Sequence, residues 1–249
     1  MEYRIETVKD RPELHETAYD LIGPAWPTFM LQDKTVIENW DHLYTMFPEY
    51  QFGLFEKDTD RLIAFGNSMP VTWGSKLSEL PDGGIDWVTV TGIEDFRAGR
   101  KPNFQCALQI VIAKDCLGQG LSKKAVAAMK GIGQKNGLTN LIAPVRPNMK
   151  HRYPLTPMEN YITWKNGDGL PYDNWLRVHV RLGGAIVKVC PKSMFMDGTV
   201  GDWEKWTEMI FPESGQYVIP NGLVPIEIDR EANRGTYTEP NVWVSHRLA

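Results

Sequence analysis

The stretch from Ala107 to Gly137 constrains this chain more than any other part of it. Leu108 to Ala113 is an apolar run of strand type, and Asp115-Cys116-Leu117-Gly118-Gln119-Gly120-Leu121-Ser122 is a glycine-punctuated turn. Lys123 to Lys135 has helical periodicity: Ala125, Met129 and Ile132 share a face, and Val126 widens it. Ser122 is the expected N-cap and Gly137 the expected C′ residue. A strand that turns on glycines into a helix presents free backbone N–H groups, which with the helix dipole favour an anion such as phosphate. Lys123 and Lys124 in the first turn oppose that dipole unless an anion sits there. A glycine-rich turn without a ligand would use the same residues, so the motif alone leaves both open.

Two nucleotide motifs do not fit. A P-loop needs Gly-Lys-Ser/Thr, and Gly120-Leu121-Ser122 lacks the lysine. A dinucleotide fingerprint needs a third small residue, where this chain has Lys123, and it opens a first βαβ unit rather than a mid-chain one.

Around this centre, Tyr3–Val8, Tyr50–Phe55, Arg61–Trp73, Leu141–Val145 and Ala185–Val189 have strand character. Glu13–Ile22, Val36–Phe47 and Thr199–Ile210 are expected helices, and short strands are expected near Val224–Ile228 and Val242–Ser245. The pattern predicts an α/β (α+β) chain with a mixed sheet carrying helices on its faces. One elaborated domain over residues 1–249 is the simplest organisation, with insertions at 75–103 and 147–171 and a C-terminal extension at 198–249. A formal net charge of −4 gives no electrostatic case for nucleic acid or an anionic membrane. No apolar run approaches the roughly 20 residues that span a bilayer. The first residues are no signal peptide, and the three scattered cysteines lack metal-ligand spacing, so a reducing, cytoplasmic setting without a metal is expected.

Leu117-Gly118-Gln119-Gly120-Leu121-Ser122 resembles the pyrophosphate loop of the GNAT superfamily of N-acetyltransferases, Gln/Arg-x-x-Gly-x-Gly/Ala between strand 4 and helix 3. It departs from that pattern at Leu117 and Ser122. Trp175-Leu176-Arg177-Val178-His179-Val180-Arg181-Leu182-Gly183 with its following strand is similar to the superfamily's helix 4 and strand 6. The resemblance implies a mixed, mostly antiparallel central sheet with helices on both faces. It implies acetyl-CoA or another acyl-CoA as co-substrate, held by Ile112 on the strand and by Leu117, Gly118, Gln119, Gly120, Leu121 and Ser122 in the loop. His179 stands where the family commonly places a tyrosine that protonates the departing thiolate, and is the expected catalytic residue; an ordinary pKa near 6.5 suits that work. A buried structural histidine is the alternative. The family's strand-4 glutamate is missing, since only Gln105 and Gln109 stand there. Trp26, Tyr153 and Glu159 are expected to bind substrate, with Tyr161 and Tyr172 as further acid candidates.

The helix around His179 also resembles that of GNAT-like loading domains of polyketide synthases, which decarboxylate malonyl thioesters or transfer acyl groups to a carrier-protein thiol. Three functions therefore stand together: an N-acetyltransferase with a small-molecule acceptor, which is favoured; a malonyl-thioester decarboxylase or S-acyltransferase with an acyl carrier protein as partner; and a non-catalytic acyl-CoA sensor.

Overall fold

A computed structural model describes residues 2–248. The chain runs β1 (Tyr3–Thr7), α1 (Leu14–Ile22), α2 (Lys34–Asn39), α3 (His42–Met46), β2 (Phe52–Glu56), β3 (Leu62–Val71), α4 (Gly84–Arg97), β4 (Phe104–Ile112), α5 (Leu121–Lys135), β5 (Asn140–Val145), α6 (Met158–Tyr161), α7 (Asn174–Arg181), β6 (Ala185–Gly198), α8 (Val200–Thr207), β7 (Gly215–Tyr217), β8 (Ile226–Asp229) and β9 (Arg234–Arg247). Nine strands form one sheet in the order β1-β2-β3-β4-β5-β9-β8-β7, with β6 also paired to β9. Only β4 and β5 run parallel; the other neighbours are antiparallel.

Two irregularities shape the middle of the sheet. Asn67 of β3 pairs with Gln109 of β4, but Ser68 pairs with Ala107, so Leu108 is an extra residue, a β-bulge. The parallel pairing of β4 with β5 covers only Phe104, Gln105 and Cys106 opposite Asn140, Leu141 and Ile142. Beyond Cys106 the two strands separate and leave a wedge between them. Helix α5 closes one face, burying Leu121, Ala125, Val126 and Met129. Gly133 lets it sit close, because a Cβ there would stand 2.3 Å from the Gln105 side chain and 2.6 Å from Leu248.

Several expectations are corrected. Helix α5 starts at Leu121, and its N-cap is Gly120 at φ +75° rather than Ser122. The single helix expected over Val36–Phe47 is two, the first beginning at Lys34 under an Asp33 N-cap and ending at Asn39, the second running from His42 to Met46. Residues 75–103, expected as an insertion, contain a helix absent from the expected elements: α4 packs on β3 and β6, with Gly92 leaving room for Met69. Its β-branched Val88-Thr89-Val90-Thr91 run and its glycines hide it from propensity. The short strand expected at Val242–Ser245 is longer, fourteen residues, and lies inside the sheet between β6 and β5. The three cysteines are free and buried.

Candidate active site

The wedge between β4 and β5 opens into a cavity of about 1490 Å³. Its floor is Ala107 to Ala113 on one side and Ala143 to Val145 on the other. At one end lie Leu117, Gly118, Gly120, Leu121 and Ser122 of the glycine turn. Gly118 and Gly120 both have φ in the left-handed region (+78° and +75°), which glycine adopts without a Cβ penalty. Nothing lies within 4 Å of where their Cβ atoms would be, so the space is open to a ligand. Gly120 offers no side chain to cap α5, and among the described residues the backbone N–H groups of Gly118 to Ser122 reach no protein acceptor. Unsatisfied donors at a helix N-terminus are an anion site. Lys123 lines the cavity beside them, whereas Lys124 lies over the Tyr3 ring (4.3 Å). Arg61, paired with Asp115 at 2.6 Å, borders the same end.

The bulge at Leu108 carries a chain of side-chain amides. Trp26 Nε1 donates to Gln109 Oε1 (2.9 Å), Gln109 Nε2 donates to Asn67 Oδ1 (2.6 Å), and Asn67 Nδ2 donates to Gln51 Oε1 (3.0 Å). Gln51 Nε2 in turn donates to the carbonyls of Phe47 and Ser68. Trp26 is thereby fixed against the cavity from 83 residues away. Gln109, one of two glutamines on this strand, anchors an aromatic wall.

His179 comes from α7. Asp173 caps that helix, its Oδ1 accepting from the Trp175 and Leu176 amides, while its Oδ2 accepts from Tyr161 Oη (3.0 Å) and the Met149 amide (2.8 Å). His179 lines the cavity with Trp175 edge-on against it (4.5 Å). It is 2% exposed, and its Nδ1 shares a 2.9 Å hydrogen bond with His246 Nε2 of β9. Its Nε2 has no partner among the described residues. Burial, and then the neighbouring His246, push the His179 pKa down to about 3. Burial pushes His246 to about 4, with Lys130 adding to the shift and the Leu182 carbonyl opposing it. Both shifts run down from the ordinary value near 6.5 and favour uncharged rings at neutral pH.

The structure therefore brings Trp26, Ile112, Leu117, Gly118, Gly120, Leu121, Ser122 and His179 to one cavity. Gln119 turns away, its amide on the Asp115 carbonyl (3.3 Å). Tyr153 and Glu159 are not in the wall. Tyr153 bonds Tyr172 (2.8 Å) in an aromatic cluster with Tyr161 and Trp164 behind α7, and Glu159 is exposed to solvent. The loop folds on its own aromatic rings rather than inward, and burial with the Asp173 carboxylate pushes the Tyr161 pKa up, away from acid chemistry. The sequence-level expectations did not include His246, Asn67 or the wall residues Asp33, Arg146 and Asn241. The signal for His246 was a histidine at the end of an apolar strand, with its partner invisible.

A splayed parallel strand pair, a bulge beside it and free amides at the next helix are the architecture that the resemblance to the N-acetyltransferase superfamily implied. The chain is 33% identical over 275 aligned positions to the arginine N-acetyltransferase avaD of Aspergillus versicolor, across 99% of this chain and 94% of that one. The chain belongs to the GNAT superfamily and is an acyl-CoA-dependent acyltransferase. No family model matches it. Among solved structures it is similar to the loading GNATL domain of CurA from Lyngbya majuscula, with TM-score 0.62, 19% identity and coverage of 100% of this chain and 98% of that one. It is also similar to the GphF GNAT-like decarboxylase in complex with isobutyryl-CoA, with TM-score 0.54, 12% identity and full coverage of both chains. These two likenesses concern the fold. No helix among the described residues is long and apolar enough to cross a membrane.

Proposed function

We propose that the protein transfers the acetyl group of acetyl-CoA to an amine nitrogen of a small cationic acceptor, with His179 as the proton carrier. The observation that carries this is the charge partition of one cavity. The end holding the glycine turn has the free amides of Gly118 to Ser122, with Arg61 and Lys123 beside them, and suits the phosphates of CoA. The wall built by residues 20–41 instead supplies Asp20 and Asp41, which suit a positive acceptor. The relative acts on arginine by its name, so L-arginine is the first acceptor to try.

The thioester supplies an activated acyl carbon. Ile112 and its neighbours on the open flank of β4 offer backbone groups to the pantetheine arm, and Trp26 walls the acyl end. Neutral His179 takes at Nε2 the proton that leaves the acceptor nitrogen as the N–C bond forms. It returns that proton to the sulfur as the C–S bond breaks, so atoms and charge balance. Three free thiols fit a reducing compartment, and we place the enzyme in the cytoplasm.

The test is mass spectrometry of acetyl-CoA with L-arginine and related amines, in parallel with malonyl-CoA alone. An acetylated amine supports the proposal, and acetyl-CoA formed from malonyl-CoA overturns it. His179→Ala should lower kcat by about 10²-fold, the usual range for a proton-transfer group, with acetyl-CoA affinity nearly intact. Unchanged turnover removes His179 from the mechanism.

A further inference from the structure

His179 does not stand alone in the cavity wall. His246, from a strand 67 residues later, is fully buried, and its Nε2 lies 2.9 Å from His179 Nδ1. The backbone is arranged to permit this contact. Helix α7 ends at Leu182, Gly183 reverses the chain at φ +82°, and Gly184 passes directly under the second ring. A Cβ on Gly184 would stand 2.6 Å from His246 Cε1 and 2.8 Å from the His179 carbonyl oxygen, so any side chain there would displace the pair.

A hydrogen bond between two neutral imidazoles contains one hydrogen, and its position decides what His179 presents at its other nitrogen. With the hydrogen on His246 Nε2, His179 would be a donor at its own Nε2. With the hydrogen on His179 Nδ1, His179 Nε2 is a bare acceptor. The role of His179 chooses between these. To take a proton at Nε2, as proposed above, His179 must carry its hydrogen on Nδ1, and His246 Nε2 is the atom placed to accept it. His246 Nδ1 is buried and makes no hydrogen bond among the described residues. Lys130 of α5, whose Nζ donates to the Leu182 carbonyl (3.3 Å), is the cation acting on the ring and disfavours a second proton there. Trp175, edge-on against His179, restricts the first ring.

We propose that His246 is a positioning residue of the reaction: it accepts the Nδ1 hydrogen of His179 and so holds His179 in the tautomer whose Nε2 is free to take a proton. The inference rests on His179 being the proton carrier proposed above. It extends that role to a residue on β9, which the catalytic helix meets only in the folded chain. When His179 takes its proton, the same hydrogen bond shares the positive charge with His246.

The experiment is long-range ¹H–¹⁵N correlation of the imidazole nitrogens in the full-length protein labelled at histidine, which reports tautomers without any substrate. His179 is expected as the Nδ1–H form. In His246→Leu it should revert to Nε2–H. In His246→Gln, whose amide oxygen can accept, it should stay Nδ1–H. A wild-type His179 protonated on Nε2 overturns the inference. Kinetics with acetyl-CoA and L-arginine form the second arm. His246→Leu should lower kcat about tenfold with KM for acetyl-CoA unchanged, His246→Gln should restore most of it, and His246→Leu should cost nothing further in a His179→Ala background. Additive losses would show a structural role and overturn the inference. Full turnover in His179→Ala would instead overturn the reading beneath it, a result the tautomer spectrum cannot mimic. Should His246→Leu fail to fold, the wild-type spectrum and His246→Gln decide.

Discussion

Asp86 is the group whose replacement should stabilise this protein, and only above a definite pH. It sits on α4 facing Asp33, with no partner for its buried Oδ1. Both oxygens of Asp33 are already committed, Oδ1 to the Val36 amide (3.0 Å) and Oδ2 to the Phe195 amide (2.8 Å). Asp86 is therefore the member of the pair that keeps a proton. Burial, then the Asp33 charge and the hydrogen bond to Asp33, push its pKa up to about 8 from an ordinary 3.8. The folded state then binds a proton that the unfolded chain releases above pH 3.8. The stability this proton supports is complete below that pH, is lost progressively as pH rises, and is gone above about pH 8. The full shift corresponds to about 5–6 kcal/mol at roughly 1.4 kcal/mol per unit. Asp86 keeps partial solvent contact, and screening reduces the effect to about 1–2 kcal/mol. Asp86→Asn keeps a donor toward Asp33 and has no charge to bury. Urea unfolding of both proteins at pH 5 and pH 8.5 should give similar stabilities at the lower pH and an advantage of about 1–2 kcal/mol for the variant at the higher. A difference that does not change with pH would refute the argument that the two carboxyls share a proton.

Three further outcomes can be checked directly. Gly120→Ala places a Cβ at φ +75° in otherwise open space, so its cost is backbone strain of about 1–2 kcal/mol; with the methyl beside the free amides, KM for acetyl-CoA should rise about tenfold while kcat changes less. Gly184→Ala should lose about 1–3 kcal/mol of stability by overpacking, together with turnover, because neither the His179 carbonyl nor the His246 ring can move without disturbing the other; calorimetry and steady-state kinetics read both. The two histidines have lowered folded pKa values, so the stability they carry is present above pH 6.5 and lost as pH falls through about 4 and 3; His179→Ala should flatten the loss measured between pH 6.5 and 4.5.

Local chemistry was legible wherever neighbours in sequence suffice. The turn at Gly118 and Gly120, the stripe of α5 and the C′ glycine at Gly137 are short-range features, and each is in place. Propensity misled at α4, whose β-branched run is helical because Ile85, Val88 and Ile93 have a sheet to pack on. Sequence could not show that the loop carrying Tyr153 folds into a cluster of four aromatic rings away from the cavity wall.

By itself the sequence determined the strand, the glycine turn and the helix that follows, because these follow from glycine's freedom and the spacing of apolar residues. Only the tertiary structure decided what His179 can do. A histidine's charge and tautomer depend on burial and on the atom facing each ring nitrogen, and here the atom facing Nδ1 belongs to His246, brought there by a strand whose pairing partners the sequence does not show.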